Sequence, residues 1–334
     1  MKINGKNYRT VWMEGSAVKI IDQLALPFEF RIHECKSFAH TAEAIRTMIV
    51  RGAPAIGATA CYGMAQAALE GKLREGGNVI AKTRPTARDL FDGIEYFKKN
   101  FNGKNAVKVA DDYAGGSAEK CRMIGVHGEK ILKNGMKILT HCNAGAIACV
   151  DWGTALAPIR LAHYNGKKIQ VWVDETRPRL QGMLTSWELN CEGIENTIIP
   201  DNAAGYFMRE GLVDLVIVGA DRVARNGDVA NKIGTYEKAV LAKENKIPFY
   251  VAAPSTTIDL SCADGKGIEI EYRSEDEVHY IRGVGADGKI ASVRVSPKES
   301  NAENPAFDVT PAKYVTGIIT EKRILKPREV AKLK

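Results

Sequence analysis

Two patterns of hydrophobic and polar residues succeed each other along the chain, and the change falls near residue 135. Before it, short β-rich runs over the first 40 residues give way to apolar residues at helical spacing. After it, short runs that are apolar at nearly every position alternate with helical segments, which is typical of a parallel sheet buried on both faces. We therefore predict a helix-rich N-terminal α+β domain with a small sheet over residues 1–134, and a doubly wound, parallel-sheet α/β domain over residues 135–334.

The polar residues of the second part gather at the ends of its predicted strands. The strands are MKILTHC, KIQVWVDE, IENTIIPD, VDLVIVGAD and IPFYVAAP. The polar residues at their carboxyl ends are His141, Cys142, Asn143, Asp174, Glu175, Asp201, Asn202, Asp221, Ser255 and Thr256. Because open α/β sheets bind their ligands outside this edge, we predict a site there.

Composition narrows the class of protein. Hydrophobic residues make up 45% of the chain and charged residues 26%, as in an ordinary globular protein. No apolar run reaches the roughly 20 residues that a membrane helix needs, and the start MKINGKNYRT lacks the apolar core of a signal peptide. The seven cysteines form no CxxC pair, which disfavours a zinc ribbon and favours reduced thiols. We therefore expect a soluble, cytoplasmic protein with no membrane partner.

The net charge of +7 raises the question of a nucleic-acid partner. Lys and Arg are spread along the chain and are densest in the tail KRILKPREVAKLK, so we favour a solvated terminus over a nucleic-acid patch. A mild positive excess does suit an anionic small substrate. None of the five strands predicted above is followed by GxGxxG or GxxxxGKS/T, which disfavours a nucleotide cofactor.

Two segments combine an element boundary with charged or reactive side chains. In RGAPAIG, Arg51 and Gly52 precede a helix with Pro54 in its first turn, and N–H groups at such a start bind phosphate beside an Arg. The alternative is a helix corner with a surface Arg. In THCNAG, Cys142 follows a strand at the predicted start of a helix, where the dipole favours a thiolate. The alternative is a buried Cys, and strand alternation turns His141 away from it.

Two further segments offer an amide, a carboxylate and an amine. In DETRPRLQG, Gln181 supplies the donor and acceptor that a sugar hydroxyl requires, although an ion-paired loop is the alternative. Asp221 ends an apolar strand beneath Gly219, where a desolvated carboxyl would suit a general acid; the alternative is a helix N-cap. Asn231 and Lys232 precede a helix whose dipole would help the Lys to meet an anion.

Taken together, these segments resemble one family over nearly the whole chain. In chain order they are RGAPAIG, RPTA at residues 84–87, THCNAG, GTALAPIR, VDETRPRLQG, IPDNAAG, GADR, NGDVANKIGTY and NPAFDVTP. They are similar to the methylthioribose-1-phosphate isomerases, which share a superfamily with the regulatory subunits of translation initiation factor 2B and with ribose-1,5-bisphosphate isomerase. DETRPRLQG together with RGAPAIG and NGDVANKIGTY is specific to the enzyme branch.

The resemblance implies an aldose–ketose isomerase of methionine salvage that converts 5-methylthioribose 1-phosphate to 5-methylthioribulose 1-phosphate. It implies that Cys142 and Asp221 are the catalytic pair. It implies that the residues holding the sugar phosphate are Arg51, Gly52, Ala53, Arg84, Gln181, Asn231 and Lys232. It also implies a Rossmann-like second domain, a homodimer, and neither a metal nor a nucleotide cofactor.

Two rival functions remain within the superfamily. Ribose-1,5-bisphosphate isomerase would need a second cationic pocket for the C5 phosphate, where a methylthio group needs apolar walls. A non-enzymatic regulatory subunit would have no need of both Cys142 and Asp221. The chain departs from the family pattern after Gly182, where a single Met183 stands in place of a small residue and an Arg, and this bears on Gln181 and on the group accepted at C5.

Overall fold

The computed structural model describes residues 1–85 and 87–333, so Thr86 of the RPTA segment lies outside the described residues, as does Lys334. Within the described part of the chain, no helix combines the length and the apolar character needed to cross a bilayer.

The chain separates into two compact units. The first comprises Met1–Met123 and Ala144–Ala157, and the second comprises Ile124–Asn143 and Pro158–Lys334. The domain boundary expected after residue 134 stays a prediction.

The first unit is rich in helices and carries a small antiparallel sheet. Its strands are β1 (Lys2–Ile3), β2 (Lys6–Asn7), β3 (Val11–Glu14), β4 (Ala17–Ile21) and β5 (Ile32–Cys35). The helices that lie wholly or largely in it are α1 (Phe38–Arg46), α2 (Ala53–Leu69), α3 (Leu73–Ala81), α4 (Arg88–Asn100) and α5 (Ala106–Gly128). Strands β3, β4 and β5 pair antiparallel in that order. The predicted helix-rich N-terminal part with a small sheet is confirmed.

Helix α2 runs through the core of the first unit. Every residue from Ala55 to Ala67 is buried, because APAIGATACYGMAQAAL is apolar or small at nearly every position, as in a helix enclosed by a protein core. The exception, Gln66, is buried with its amide hydrogen-bonded to Thr41, Ser16 and Cys35. The packing of α2 in this core fixes the position of its first turn within the first unit. Helix α3 escaped prediction because Gly76 and Gly77 lower its helical propensity, and the buried Ile80 ties it to the same core.

The second unit alternates strands and helices. Its strands are β6 (Lys137–Thr140), β7 (Gln170–Asp174), β8 (Glu195–Ile199), β9 (Leu215–Val218), β10 (Arg222–Ala224), β11 (Val229–Lys232), β12 (Phe249–Ala252), β13 (Ile258–Asp259), β14 (Tyr280–Val284), β15 (Ile290–Arg294), β16 (Phe307–Thr310), β17 (Gly317–Ile319) and β18 (Ile324–Leu325). The helices that lie wholly or largely in it are α6 (Leu156–Tyr164), α7 (Gln181–Cys191), α8 (Ala204–Arg209), α9 (Thr235–Glu244) and α10 (Asp276–His279).

The main sheet of this unit has the order β18-β17-β12-β9-β6-β7-β8. Its neighbours run parallel except for β17 and β18. From β6 the chain moves outward to β7 and β8, then returns to place β9 on the other side of β6. The predicted doubly wound parallel sheet is therefore confirmed, and the strand order reverses between β6 and β9, where such sheets open a ligand crevice.

Strand β8 differs from its prediction. Its apolar run indicated a strand buried on both faces, but β8 is the last strand of the sheet, and only Ile199 of its residues is buried. A sheet edge has a neighbour on one side alone, so apolar residues there retain access to solvent.

Asp228 joins three segments beside a second sheet, of order β13-β10-β11-β16. Its carboxylate accepts hydrogen bonds from the N–H groups of Gly265 at 2.9 Å and Ala312 at 2.8 Å, and from Asn226 Nδ2 at 2.9 Å. Partial burial acts to raise the pKa of Asp228, but these hydrogen bonds outweigh it and lower the pKa below its usual range.

We expect Asp228→Ala to lower the free energy of unfolding at pH 7 by about 2 kcal/mol, because it leaves these donors without an acceptor. Thermal unfolding followed by circular dichroism should show a midpoint lower by roughly 4 °C or more. Because the folded-state pKa is depressed, this stabilisation is present above the unfolded pKa and is lost as the pH falls through the folded pKa. Asp287→Ala, at an exposed turn, is the control. Equal midpoints for the two variants would contradict this role.

Candidate active site at the switch point of the sheet

Cys142 lies just beyond β6, at the edge where the strand order reverses. It is half-buried, and its backbone is in the left-handed region with φ +67°. The nearest helical residues form only a 3₁₀ turn at Ala146–Ala148, and the next α-helix begins at Leu156. The prediction that Cys142 begins a helix is therefore wrong, and a helix dipole supplies no argument about its thiol.

Asp221 follows β9, the strand beside β6. Its N–H donates to the carbonyl of Ala230 at 2.9 Å, so the residue leads into β10 and does not cap a helix. Its side chain is exposed, so the prediction that burial desolvates it is wrong. A carboxyl in this position is open to a ligand at the edge of the sheet.

Lys232 is a buried amine whose pKa is influenced by both Cys142 and Asp221. Its side chain is only 6% exposed, and its Nζ donates to the carbonyl of Ala306 at 2.9 Å and lies 4.8 Å from the ring centre of Phe307. Burial lowers the pKa of Lys232, and the charges of Cys142 and Asp221 act in the opposite direction. The thiol and the carboxyl are thus both within electrostatic reach of the same buried amine.

The start of helix α9 is occupied by a carboxylate of the protein itself. Asp308 accepts hydrogen bonds from the N–H groups of Gly234 at 2.7 Å and Tyr236 at 3.0 Å. Asn231 and Lys232 belong to strand β11, and Asn231 Nδ2 donates to the Thr235 hydroxyl at 2.9 Å. We predicted that the dipole of this helix would help Lys232 to bind an anion. That prediction is wrong, because the Asp308 carboxylate already occupies the N–H groups at the start of α9.

His141 and Asp174 form a buried pair beneath the Cys142 loop. His141 Nε2 lies 2.8 Å from the carbonyl oxygen of Ile233, an acceptor, so Nε2 carries a proton. His141 Nδ1 and Asp174 Oδ2, 2.9 Å apart, then share one further proton. Burial raises the pKa of Asp174, while the hydrogen bond to His141 and the charge of Lys238, 3.6 Å away, act to lower it. Both ring nitrogens of His141 are therefore engaged by Asp174 and Ile233.

His141, Asp174 and Asp201 also bring ligand atoms within 4.8 Å of one another, which is a spacing at which a metal ion could be held. Each already has partners within the protein, since Asp201 accepts the N–H groups of Thr176 and Arg177 at 2.7 Å. Asp174 Oδ2 is likewise engaged by His141, whereas Asp174 Oδ1 is buried with no hydrogen-bond partner among the described residues.

Gln181 opens helix α7 and is only 5% exposed. Its Oε1 is buried and has no hydrogen-bond partner among the described residues. Gly182 lets the helix start this close to β7, because a Cβ there would lie 1.8 Å from the Asp174 carbonyl oxygen. Met183, at which the chain departs from the family pattern, lies inside α7. A buried amide oxygen of this kind could accept a hydrogen bond from a ligand hydroxyl.

Arg51, Gly52, Ala53 and Arg84 belong to the first unit. Gly52 is the N-cap of α2 with φ +96°, a conformation that favours glycine, and α2 has no side-chain cap at this end. The helix begins at Ala53, as predicted, and Arg51 directly precedes the cap. Arg84 is half-buried in the segment between α3 and α4.

Sequence reasoning missed the residues that hold the Cys142 backbone. The hydroxyl of Thr176 accepts a hydrogen bond from the Cys142 N–H, and the hydroxyl of Thr185 donates to its carbonyl, each at 2.8 Å. Thr176 stands in a recognisable loop motif, but Thr185 lies in a helix where nothing in the sequence sets it apart. Only the packing of α7 against the strand ends identifies it.

Comparison with known proteins matches residues 49–327 to the model of the initiation factor 2 subunit family. A methylthioribose-1-phosphate isomerase from Brucella anthropi is 48% identical over 351 aligned positions, which cover 98% of this chain and 96% of the relative.

Two solved structures are also similar. The 5-methylthioribose 1-phosphate isomerase of Pyrococcus horikoshii superposes with a TM-score of 0.88 at 40% identity, covering 98% of this chain and 95% of the other. A protein from A. fulgidus described as the delta subunit of translation initiation factor eIF-2B has a TM-score of 0.86 at 39% identity, covering 98% and 100%.

Proposed function

Because this chain belongs to the initiation factor 2 subunit family and, within it, to the methylthioribose-1-phosphate isomerases, we propose that it is an aldose–ketose isomerase of methionine salvage. It converts 5-methylthioribose 1-phosphate to 5-methylthioribulose 1-phosphate. The observation that carries this conclusion is the match at 48% identity over nearly the full length of a relative of that name.

The geometry of the second unit supports Cys142 and Asp221 as the catalytic pair. They follow the adjacent parallel strands β6 and β9 at the point where the strand order reverses. Both influence the pKa of the buried Lys232 amine, so a sugar at this edge would meet a thiol and a carboxyl with a positive charge close by. A carboxyl and a thiol are groups that can serve as a general acid and a general base.

Ring opening is the first chemical requirement. The phosphate on the anomeric oxygen prevents the ring from opening to a free aldehyde, so the C1–O4 bond must be broken directly. In our proposal Asp221 gives a proton to O4 as that bond breaks, which leaves O4 as a hydroxyl and C1 electron-poor. The exposed position of the Asp221 carboxyl is compatible with direct contact with the substrate.

Hydrogen must then move from C2 to C1, and the C2 hydroxyl must lose its proton to become the ketone. In an enediol path Cys142 removes the proton from C2, and a proton is returned to C1. In a hydride path Cys142 helps to direct the hydrogen as it passes from C2 to C1 with its electron pair. In each, one proton is supplied to O4 and one is taken from the C2 hydroxyl. No phosphate bond breaks, so the phosphate serves as a handle whose binding energy aligns C1 and C2.

Substrate binding is assigned to Arg51, Gly52, Ala53, Arg84, Gln181, Asn231 and Lys232. Gln181 is supported by its buried amide oxygen, which could accept a hydrogen bond from a sugar hydroxyl. The segment from Arg51 to Ala53 is supported by the start of α2, where no side chain caps the helix and an Arg adjoins it. Lys232 is supported by its place near Cys142 and Asp221. A homodimer and a cytoplasmic location complete the proposal.

The decisive experiment compares turnover of 5-methylthioribose 1-phosphate and ribose 1,5-bisphosphate by the purified chain, with ketose phosphate followed by NMR. We expect kcat/KM to be higher for the methylthio substrate by roughly 10²-fold or more, because a methylthio group needs apolar walls and such walls would not satisfy a second phosphate. The opposite preference would favour the bisphosphate isomerase. No turnover of either, with binding of an initiation-factor partner, would favour the regulatory function suggested by the likeness to the A. fulgidus protein.

A further inference from the structure

The backbone of Cys142 is in a conformation that a residue with a Cβ adopts at a cost. Its φ of +67° lies in the left-handed region, which costs roughly 1–2 kcal/mol for a residue other than glycine. Such a conformation persists only where the surrounding structure determines it. The contacts of the two polar backbone groups of Cys142 show what determines it here.

Two buried threonines hold both of these groups. The N–H of Cys142 donates to Thr176 Oγ1 at 2.8 Å, and Thr185 Oγ1 donates to the carbonyl of Cys142 at 2.8 Å. Both threonines have no exposed surface, so water does not compete for these hydrogen bonds. With its N–H and its carbonyl both engaged, Cys142 has a fixed Cα–Cβ direction, and only rotation about χ1 is left to the thiol.

The direction of each hydroxyl is also determined. Because the Cys142 N–H can only donate, Thr176 Oγ1 accepts, and its own proton goes to the carbonyl of Asp174 at 3.0 Å. Because the Cys142 carbonyl can only accept, the Thr185 proton points at it, and Thr185 Oγ1 accepts from Asn143 Nδ2 at 3.1 Å. The two hydroxyls have opposite roles toward the Cys142 backbone. Replacing either one with a methyl group would remove both the hydrogen bond that it donates and the one that it accepts.

The anchors of the two threonines are rigid. Thr176 itself has φ +61°, which is unusual for a β-branched residue, and its N–H donates to the Asp201 carboxylate at 2.7 Å. Thr185 lies in the second turn of α7, and Asn143 Nδ2 also donates to Glu188 Oε1 at 2.8 Å on the next turn. The Cys142 loop is thereby tied to β7 on one side and to α7 on the other.

We propose that Thr176 and Thr185 are positioning residues that hold Cys142 in its left-handed conformation and so aim the thiol at C1 and C2 of the substrate. The proposal rests on the catalytic role given to Cys142 above. A small displacement of a reacting group costs about 10²-fold in rate, whereas binding of the phosphate handle does not depend on the direction of the thiol. Loss of either hydroxyl therefore lowers kcat and leaves KM nearly unchanged.

The test compares Thr176→Val and Thr185→Val, which keep the shape and remove the hydroxyl, with Thr176→Ser and Thr185→Ser, which keep the hydroxyl. We expect kcat to fall by roughly 10- to 100-fold in the valine variants and by less than threefold in the serine variants, with KM within threefold throughout. If a valine variant does not fold, the alanine variant at that position takes its place in the comparison.

The matched control is Thr320→Val. Thr320 is also fully buried, and its hydroxyl donates to the carbonyl of Arg323 at 2.8 Å, beyond the end of β17. This variant should lose thermal stability in the same way and keep the kcat of the wild type. The proposal would be overturned if the valine variants at 176 and 185 lost no more kcat than the control. It would also be overturned if the serine variants were as slow as the valine variants. Either result would leave the two threonines a structural role only.

A second readout separates this proposal from the proposed function. The rate at which iodoacetamide alkylates Cys142, assigned by peptide mass spectrometry, does not depend on turnover. We expect this rate to change by threefold or more, in either direction, in the valine variants and to stay at the wild-type value in the serine variants. If the wild type shows no turnover but the variants show this pattern of alkylation, the isomerase function is wrong and the positioning role of the threonines stands. If alkylation is unchanged in all variants, the positioning role is wrong.

Discussion

Replacing Cys142 with serine is expected to lower kcat for 5-methylthioribose 1-phosphate by about 10³-fold, within the range of about 10²–10⁴ that a positioned acid–base group contributes. A serine hydroxyl is a far weaker acid than a thiol and less polarisable, so it can neither hold nor release the proton in the same way. The side chain is half-buried and nearly the same in size, so the loop should keep its conformation. The change should fall on kcat, with KM altered by less than about threefold.

Cys262→Ser provides the matched control for this result. Cys262 is also half-buried in the second unit, but its Sγ faces the carbonyl of Asp264 at 3.1 Å and lies outside the proposed site. Steady-state kinetics on the purified variants, with thermal midpoints measured alongside, separate a chemical effect from a loss of structure. Full activity of Cys142→Ser would remove the thiol from the mechanism, whatever the activity of the control.

The second large effect is expected for Asp221→Asn, with kcat lowered by about 10²–10⁴-fold. A carboxamide has the shape of the carboxyl group but cannot give a proton to the ring oxygen at neutral pH. Because the side chain is exposed, the substitution should cost little stability, and the thermal midpoint should stay near that of the wild type. The loss should again be one of kcat, since ring opening is blocked after the substrate has bound.

Asp287→Asn is the control for this variant, because Asp287 is an exposed carboxyl in the turn between β14 and β15. It removes the same charge from the second unit and should leave kcat unchanged. If Asp221→Asn retains kcat within about threefold of the wild type, Asp221 is not the acid, and another donor must protonate O4.

Much of the fold followed from local pattern. The apolar runs that became β6, β7, β9 and β12 required burial on both faces, and the alternating helical segments required a parallel sheet to receive them. The start of α2 at Ala53 followed from Gly52 and Pro54. These features depend on residues close together in sequence, so a single chain without a structure is enough to predict them.

The sequence predicted which residues belong to the candidate site, but it did not predict their backbone conformation or burial. Cys142 was expected at a helix start and lies instead in a left-handed bend, and Asp221 was expected to be buried and is exposed. Asp308 was quoted only as part of a motif, and it caps α9 from a distant strand. In each case the deciding partner is far away along the chain, and a local pattern carries no information about it.

The pattern of residues along the chain was enough to predict that a thiol and a carboxyl would follow two strands of one parallel sheet. The tertiary structure alone decided that those strands, β6 and β9, are neighbours at the point where the strand order reverses. It also decided that Thr176 and Thr185 meet the backbone of Cys142 from two other elements. The physical reason is that strand types and element boundaries depend on side chains a few residues apart, whereas strand order and hydrogen bonds between elements arise only when the whole core has packed.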